Sequence, residues 1–256
     1  MINQSKFIRT PISKILLDAV GATSGVGDGI ETYPLSDYVM QSVFLKMTGF
    51  QEQKMKAICW EMATNNYDYR YEFTKNKQGE CSTYNDKRVI YADLIMQIKH
   101  FKNLDPNDKT ITNIISENYI GDDILTEAES QVKAILSDTN LSVWSQKSFN
   151  DYENTLVSKI KPKHYANEDS NLFSHTSDKP NLINIYNNHL YKRRNRIAHN
   201  TQSYKQNLPT LTALQSADYQ YENYFLFFFI LTLIDGIFIA LYDCYTEALN
   251  DVTTER

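Results

Sequence analysis

The chain has 256 residues, which is enough for one or two domains with a sizeable hydrophobic core. Hydrophobic residues make up 42% and charged residues 22%, a globular composition that excludes wholesale disorder. The formal net charge of -5 argues against a general polyanion binder, so any contact with nucleic acid must be local. The three cysteines (Cys59, Cys81, Cys244) lack the spacing of a zinc site or a disulfide framework, and residues 1–20 lack the apolar stretch of a secretion signal. Both features indicate a cytoplasmic protein with free thiols.

The N-terminal region contains a glycine-rich segment. Four glycines fall in residues 21–29, but the segment has neither the Gly-Lys-Ser/Thr ending nor the preceding apolar strand of a phosphate-binding loop. A flexible loop in an N-terminal extension over residues 1–35 is therefore the favoured interpretation. Ser36 can then cap a long helix that runs to about residue 65, with Gly49 as a potential kink.

The sequence YDYRYEF, residues 67–73, alternates aromatic and charged side chains. A period of two predicts a short, half-buried strand, and an aromatic row beside charges is also compatible with stacking of nucleic-acid bases. The turn-forming sequence KNKQGE follows, so the pattern allows one short β-hairpin near residues 67–84. Asn85 or Asp86 then begins a helix.

Helical periodicity returns in the middle of the chain, in residues 108–120, 122–138 and 149–160. Residues 161–180 are polar and rich in turn-forming residues, which predicts a surface loop. His164 and His175 lie in this loop, far apart and without companion cysteines, so no metal site is predicted.

The most apolar segment, residues 224–242, is long enough to span a bilayer. Asp235 lies near its middle, where a charged carboxylate costs about 2.5–3.5 kcal/mol, and the flanks carry no Lys or Arg as anchors. A helix buried inside a bundle is apolar nearly all round for the same reason as a membrane span. A core helix over residues 218–249 is therefore favoured over a membrane span.

Residues 181–200 predict another helix, because Pro180 suits a first turn and apolar side chains recur at steps of three or four from Leu182 to Ile197. Its C-terminal half concentrates positive charge beside one histidine: Lys192, Arg193, Arg194, Arg196 and His199.

Helical geometry gives this cluster a chemical interpretation. Asn195 and His199 are four residues apart and share a face, so the amide can orient the imidazole. Arg196 lies beside His199, and Arg194 can bend toward a shared ligand. These cations disfavour the protonated imidazole, which keeps a neutral base available, and they would hold a phosphate. RNA self-cleavage needs that combination, without a metal. Stabilisation of the helix dipole by C-terminal Lys and Arg side chains is the structural alternative.

The segment from Arg194 to His199, RNRIAH, resembles the Arg-x4-6-His signature of the HEPN superfamily, in which a polar residue, frequently Asn, follows the Arg. HEPN domains are small and all-helical, and are often metal-independent endoribonucleases of bacterial toxin, abortive-infection and CRISPR defence systems. The resemblance covers the motif helix and the hydrophobic helix after it. It implies that Arg194 grips the scissile phosphate, Asn195 orients and His199 transfers protons. The neighbouring cations Lys192, Arg193 and Arg196 are expected to bind substrate through their charge. Arg193 also fits as Arg-x5-His, but the Asn after Arg194 favours Arg194.

The expected fold is mainly α: an HEPN-like bundle over residues 36–250 with an N-terminal helical elaboration. Because one histidine does not easily act as both base and acid, and HEPN motifs typically meet across a two-fold interface, the resemblance implies a homodimer. The expected protein is a cytoplasmic RNA-cleaving, toxin-like effector without a cofactor, with an antitoxin or regulatory protein as a further partner and no membrane attachment.

Two other functions stay open. The first is a non-catalytic HEPN module that binds nucleic acid or a nucleotide, or scaffolds a partner protein. The second is a membrane-anchored effector that uses residues 224–242.

Overall fold

The computed structural model describes residues 4–27, 29–75, 80–105, 122–156, 182–199, 211–216 and 221–254. The fold is mainly helical, as predicted, and these residues contain no β-strand. A 3₁₀ turn, Ile30–Thr32, precedes α3, and π-helical turns span Tyr152–Leu156 and Tyr186–Tyr191. The α-helices are α1 (Gln4–Arg9), α2 (Ser13–Thr23), α3 (Tyr33–Asn65), α4 (Tyr67–Lys75), α5 (Tyr84–Phe101), α6 (Asp122–Leu136), α7 (Asn140–Trp144), α8 (Gln146–Asp151), α9 (Leu182–Ile185), α10 (Lys192–His199), α11 (Leu211–Gln215) and α12 (Tyr224–Thr254).

The predicted strand over residues 67–73, and with it the β-hairpin near 67–84, is wrong because this segment forms α4. The side chain of Asn66 caps the helix: its Oδ1 atom accepts hydrogen bonds from the backbone N–H groups of Asp68 and Tyr69, at 2.9 and 3.1 Å. Tyr67 and Tyr71, four residues apart, share an exposed face. Tyr69 is half-buried against the core and donates to Asp93 Oδ2 at 3.0 Å, so the aromatic row is divided between two faces of a helix.

Helices α3 and α5 do not begin where the sequence predicted, because other residues define their first turns. Ser36 does not cap α3, because the helix begins at Tyr33 with Pro34 in its first turn and Ser36 is buried inside it. In α5, Thr83 forms a capping box with Asp86, which fixes the start at Tyr84.

The final helix begins later than the predicted residue 218. The Asn223 side chain accepts hydrogen bonds from the N–H groups of Phe225 and Leu226, at 3.0 and 3.3 Å, and so caps α12 at Tyr224. The helix predicted at 149–160 is divided into α8 and the π-helical turn after it, and the motif helix predicted at 181–200 is a run of α9, a π-helical turn and α10. The helix predicted at 108–120 and the loop at 161–180, with His164 and His175, lie outside the described residues.

Helix α12 forms the centre of the fold and packs against α3, α5 and α6. Its residues from Phe225 to Leu231 are consecutively buried, which explains why the sequence is apolar all round. By length and composition Tyr224–Val252 could cross a membrane, and 78% of its most apolar window is buried in the protein. Ile8 and Ile12, from the predicted N-terminal extension, are buried in the same core.

A buried ion pair ties the N-terminal helices to α3 and α12. Asp235, 2% exposed, pairs with Lys54, 0% exposed, and also accepts a hydrogen bond from the Ile12 N–H at 2.9 Å. Lys54 donates in addition to the Thr10 carbonyl oxygen at 2.8 Å. Burial lowers the pKa of Lys54 and raises the pKa of Asp235, and their mutual attraction opposes both shifts.

Candidate functional site

The basic cluster predicted from sequence lies on α10, which packs against α3. Lys192 and His199 are exposed, whereas Asn195 and the three arginines are half-buried. His199 is the last residue of the helix. Its imidazole is exposed to solvent, and within the described part of the chain it forms no hydrogen bond or ion pair.

Arg194 is held by a carboxylate from a different helix. Its Nη2 atom donates to Oε1 of Glu52 on α3 at 2.9 Å, and its Nη1 atom donates to Oδ1 of Asn195 at 3.0 Å. A guanidinium has five N–H donors, so three have no partner within the described ranges after these two contacts and can serve a ligand. The structure thus brings Asn195 to Arg194, and among the described residues no hydrogen bond joins Asn195 to His199 as the helical spacing predicted.

Arg196 belongs to a second network, which sequence reasoning missed. Its Nη2 atom donates to Oε2 of Glu222 at 3.1 Å, and Oε1 of the same carboxylate lies 3.1 Å from Nδ1 of His189. The His189 ring also lies against Tyr221, with centroids 5.4 Å apart. The Nε atom of Arg196 is buried and has no partner among the described residues. One carboxylate therefore orients both a guanidinium and an imidazole.

Arg193 contacts the first residue of the central helix. Its Nε and Nη2 atoms both donate to the Tyr224 hydroxyl oxygen, at 3.2 and 3.0 Å, and the guanidinium carbon lies 5.5 Å from the centroid of the ring. Burial raises the pKa of Tyr224, which keeps its hydroxyl neutral as an acceptor. These contacts hold the guanidinium of Arg193 against the start of α12.

A buried lysine lies behind the site. Lys87 on α5 is 1% exposed, donates to the Cys81 carbonyl oxygen at 3.0 Å, and lies 5.1 Å from the centroid of the Tyr186 ring. Burial lowers its pKa to about 8, while the negative charge of Glu52 raises it and the positive charge of Arg194 lowers it. Glu52 therefore acts on two cations, one at the site and one behind it.

Glu52 and Glu222 reduce the excess of positive charge around α10. They could not be found from the motif, because they lie 142 and 26 residues from their arginine partners. His189 had a detectable signal, since it precedes Arg193 by four residues and Arg196 by seven, on one helical face. In the described ranges no group of three or more His, Cys, Asp or Glu side chains is placed to hold a metal ion.

Comparison with protein-family models, with characterised proteins and with solved structures finds no match to this chain. The structure defines a mainly helical protein with an exposed histidine at the end of a basic helix and two carboxylates that orient its arginines. Such a helix end can bind an anion through the remaining N–H donors and exchange a proton through the imidazole.

Proposed function

We propose that the protein is a metal-independent, HEPN-type endoribonuclease that acts as a homodimer in the cytoplasm, without membrane attachment. The observation that carries this proposal is the solvent-open imidazole of His199, five residues after an arginine that Glu52 and Asn195 hold in place. A toxin-like role in prokaryotic defence, under an antitoxin or regulatory partner, follows from the resemblance to HEPN effectors.

In the proposed reaction, His199 of one protomer removes the proton of a ribose 2′-hydroxyl, and the resulting oxygen attacks the adjacent phosphorus. The bond from phosphorus to the 5′-oxygen breaks, and that oxygen takes a proton from the second His199. The products are a 2′,3′-cyclic phosphate and a 5′-hydroxyl. Arg194 stabilises the negative charge that develops on the phosphoryl oxygens, with Lys192 and Arg196 beside it.

The homodimer supplies the second imidazole. A two-fold axis places the same surface of each protomer face to face, so two copies of α10 would meet around one RNA phosphate. Bringing two basic helices together is unfavourable by itself. Glu52 and Glu222, which pair with Arg194 and Arg196, lower this repulsion.

The test is incubation of the purified protein with mixed cellular RNA in a metal chelator, followed by analysis of fragment ends. We expect 2′,3′-cyclic phosphate ends, and we expect His199→Ala to lower the cleavage rate by about a hundredfold or more. His100→Ala is the matched control, because His100 is an exposed histidine on α5 outside the basic helix. Expression should slow bacterial growth only when His199 is present. Unchanged cleavage by His199→Ala would overturn the assignment.

A non-catalytic RNA-binding module is the second candidate, and one observation favours it. Each arginine of the cluster already has a protein partner: Glu52, Tyr224 or Glu222. If these contacts persist in the complex, the cluster binds phosphate without driving chemistry. The wild-type protein would then retain RNA in a gel-shift assay, with no new fragment ends and with equal affinity for His199→Ala.

A further inference from the structure

A solvent-open groove of about 570 Å³ lies between α1 and the C-terminal half of α3. Its volume is within the range of small-molecule sites. Ala57 has the smallest side chain of the lining and leaves room for a ligand among the larger ones. The lining residues are Gln4, Phe7, Gln53, Lys56, Ala57 and Trp60.

Two aromatic rings line the groove from different helices. Trp60 on α3 is 64% exposed, so much of its indole is available to a ligand. Phe7 on α1 is half-buried, and its ring packs on Phe50 with centroids 4.8 Å apart, which holds its position. A flat aromatic ligand gains from such a lining, because its face stacks on an indole or phenyl ring.

The polar side chains of the lining suit a nucleobase with its phosphate. Gln53 is exposed and Gln4 is half-buried, and each amide offers both donors and an acceptor. Unpaired bases are recognised by stacking on an aromatic ring together with hydrogen bonds to the base edges. Lys56 adds a positive charge for a phosphate. It pairs with Glu80, but that carboxylate is 83% exposed, and a pair this exposed contributes little.

The groove follows the proposed RNA site along α3. Glu52, which holds Arg194, precedes Lys56 by one helical turn, and Lys56 precedes Trp60 by another. Trp60 therefore lies about 12 Å along the helix from Glu52 and about 80° round it, on the same side. At about 3.4 Å per nucleotide of a stacked strand, that distance corresponds to roughly three or four nucleotides.

We propose that this groove binds an unpaired base of the RNA substrate, roughly three or four nucleotides from the phosphate at Arg194. The base stacks on Trp60 and its phosphate contacts Lys56. The strand is single because a base inside a duplex does not present its face to a protein. The inference rests on the proposed RNA site, and it adds a requirement for unpaired substrate that the motif helix does not supply.

Fluorescence anisotropy with the full chain and a labelled single-stranded RNA of about ten nucleotides tests the stacking contact. The 2′-hydroxyls of the probe are methylated, so that it binds without being cleaved. We expect Trp60→Ala to weaken binding about tenfold and Trp60→Phe to weaken it much less, because phenylalanine keeps an aromatic face. Leu17→Ala, which shortens another exposed apolar side chain outside the groove, is the control. The affinity for a duplex of the same sequence should not change in Trp60→Ala.

Charge variants test the phosphate contact. Lys56→Gln should weaken binding of the single strand and lower the slope of log affinity against log salt concentration by about one. Lys46→Gln, which replaces an exposed lysine of the same helix outside the groove, is the matched control. Glu80→Gln should instead strengthen binding about twofold, because Lys56 then no longer pairs with a carboxylate.

Equal affinity of the wild type and Trp60→Ala for the single strand, or an equal loss on the duplex, would overturn the proposal. Loss of the dimer in Trp60→Ala with RNA binding unchanged, measured by analytical ultracentrifugation, would also overturn it, because the groove would then be a protein contact. Binding that needs Trp60 in a protein that produces no 2′,3′-cyclic phosphate ends would support the groove and overturn the cleavage mechanism alone. Cleavage that needs His199, with binding independent of Trp60, would do the reverse. Absence of RNA binding by the wild type would overturn both.

Discussion

Glu52 and Arg194 are joined by a charged hydrogen bond of 2.9 Å between α3 and the basic helix. The carboxylate is only 14% exposed, so this contact is better shielded from water and salt than an ordinary surface pair. It fixes the guanidinium of Arg194 relative to α3, the longest of the described helices. The position of Arg194 therefore depends on a residue that the motif does not contain.

Replacement of this carboxylate should impair both stability and cleavage. We expect Glu52→Gln to lower the free energy of unfolding by about 1–3 kcal/mol, because Arg194 and the buried Lys87 lose a compensating charge. RNA cleavage should fall, because the guanidinium loses its orientation. Urea unfolding and the fragment-end assay measure the two effects, with Glu31→Gln as the control. Cleavage at the wild-type rate would show that Glu52 does not position Arg194 for the reaction.

The two neighbouring arginines should differ in function. Tyr224→Phe removes the hydroxyl that accepts from Arg193, and we expect a loss of about 1 kcal/mol in stability with cleavage unchanged. Arg194→Lys should instead lower cleavage strongly, because an ammonium lacks the planar fork of donors that binds a phosphate in two places. The cleavage rates of the two variants in a single-turnover assay test this difference. Equal losses in both variants would place Arg193 in the chemistry.

The buried ion pair should respond very differently to single and double replacement. Asp235→Ala leaves the Lys54 ammonium buried without a counter-charge, and we expect a loss of about 3–5 kcal/mol. Adding Lys54→Met should recover much of that loss, because no uncompensated charge remains. The measurement is the midpoint of urea unfolding at neutral pH. If the double variant is as unstable as the sum of the two singles, the pair does not act as a unit.

Lys87 predicts a specific pH dependence of stability. Its pKa is about 8 in the folded protein and near its ordinary value of 10.5 in the unfolded chain. Between these values the unfolded state binds more protons, so the free energy of unfolding rises with pH from about 8 to about 10.5. The stability of the wild type relative to Lys87→Met should increase across this window by about 3 kcal/mol. Both proteins contain the same buried tyrosines, so the ionisation of these tyrosines cancels in the difference. A difference in stability that does not change with pH would contradict the lowered pKa of Lys87.

The sequence predicted those elements whose signal is local. The helix over residues 122–138 matches α6 closely, because apolar periodicity and acidic residues at its start both act within one helix. The strand predicted over residues 67–73 was wrong, because aromatic side chains two residues apart can also lie on two different faces of a helix. The local signal for a helix was the Asn66 cap. The start of α12 was missed for the same reason, because Asn223 caps it, whereas α3 has no side-chain cap and begins with Pro34 in its first turn.

The site residues on α10 could be predicted from the sequence, whereas the carboxylates that contact them could not. The cations and His199 lie on one helix, so their spacing alone brought them together. Glu52 and Glu222 reach the site through tertiary packing, which no local pattern encodes. The contact expected between Asn195 and His199 depended on side-chain choice, and the Asn195 oxygen instead accepts from Arg194.

Cleavage by mixed dimers tests the proposed mechanism most directly. Wild-type protein and His199→Ala are unfolded together, refolded at fixed total concentration, and assayed for 2′,3′-cyclic phosphate ends across a series of mixing ratios. If two His199 side chains share one site, only dimers of two wild-type chains are active, so an equal mixture retains about one quarter of the activity. Activity of about one half, in proportion to the wild-type fraction, or cleavage that does not depend on His199 at all, would contradict a site composed of two imidazoles.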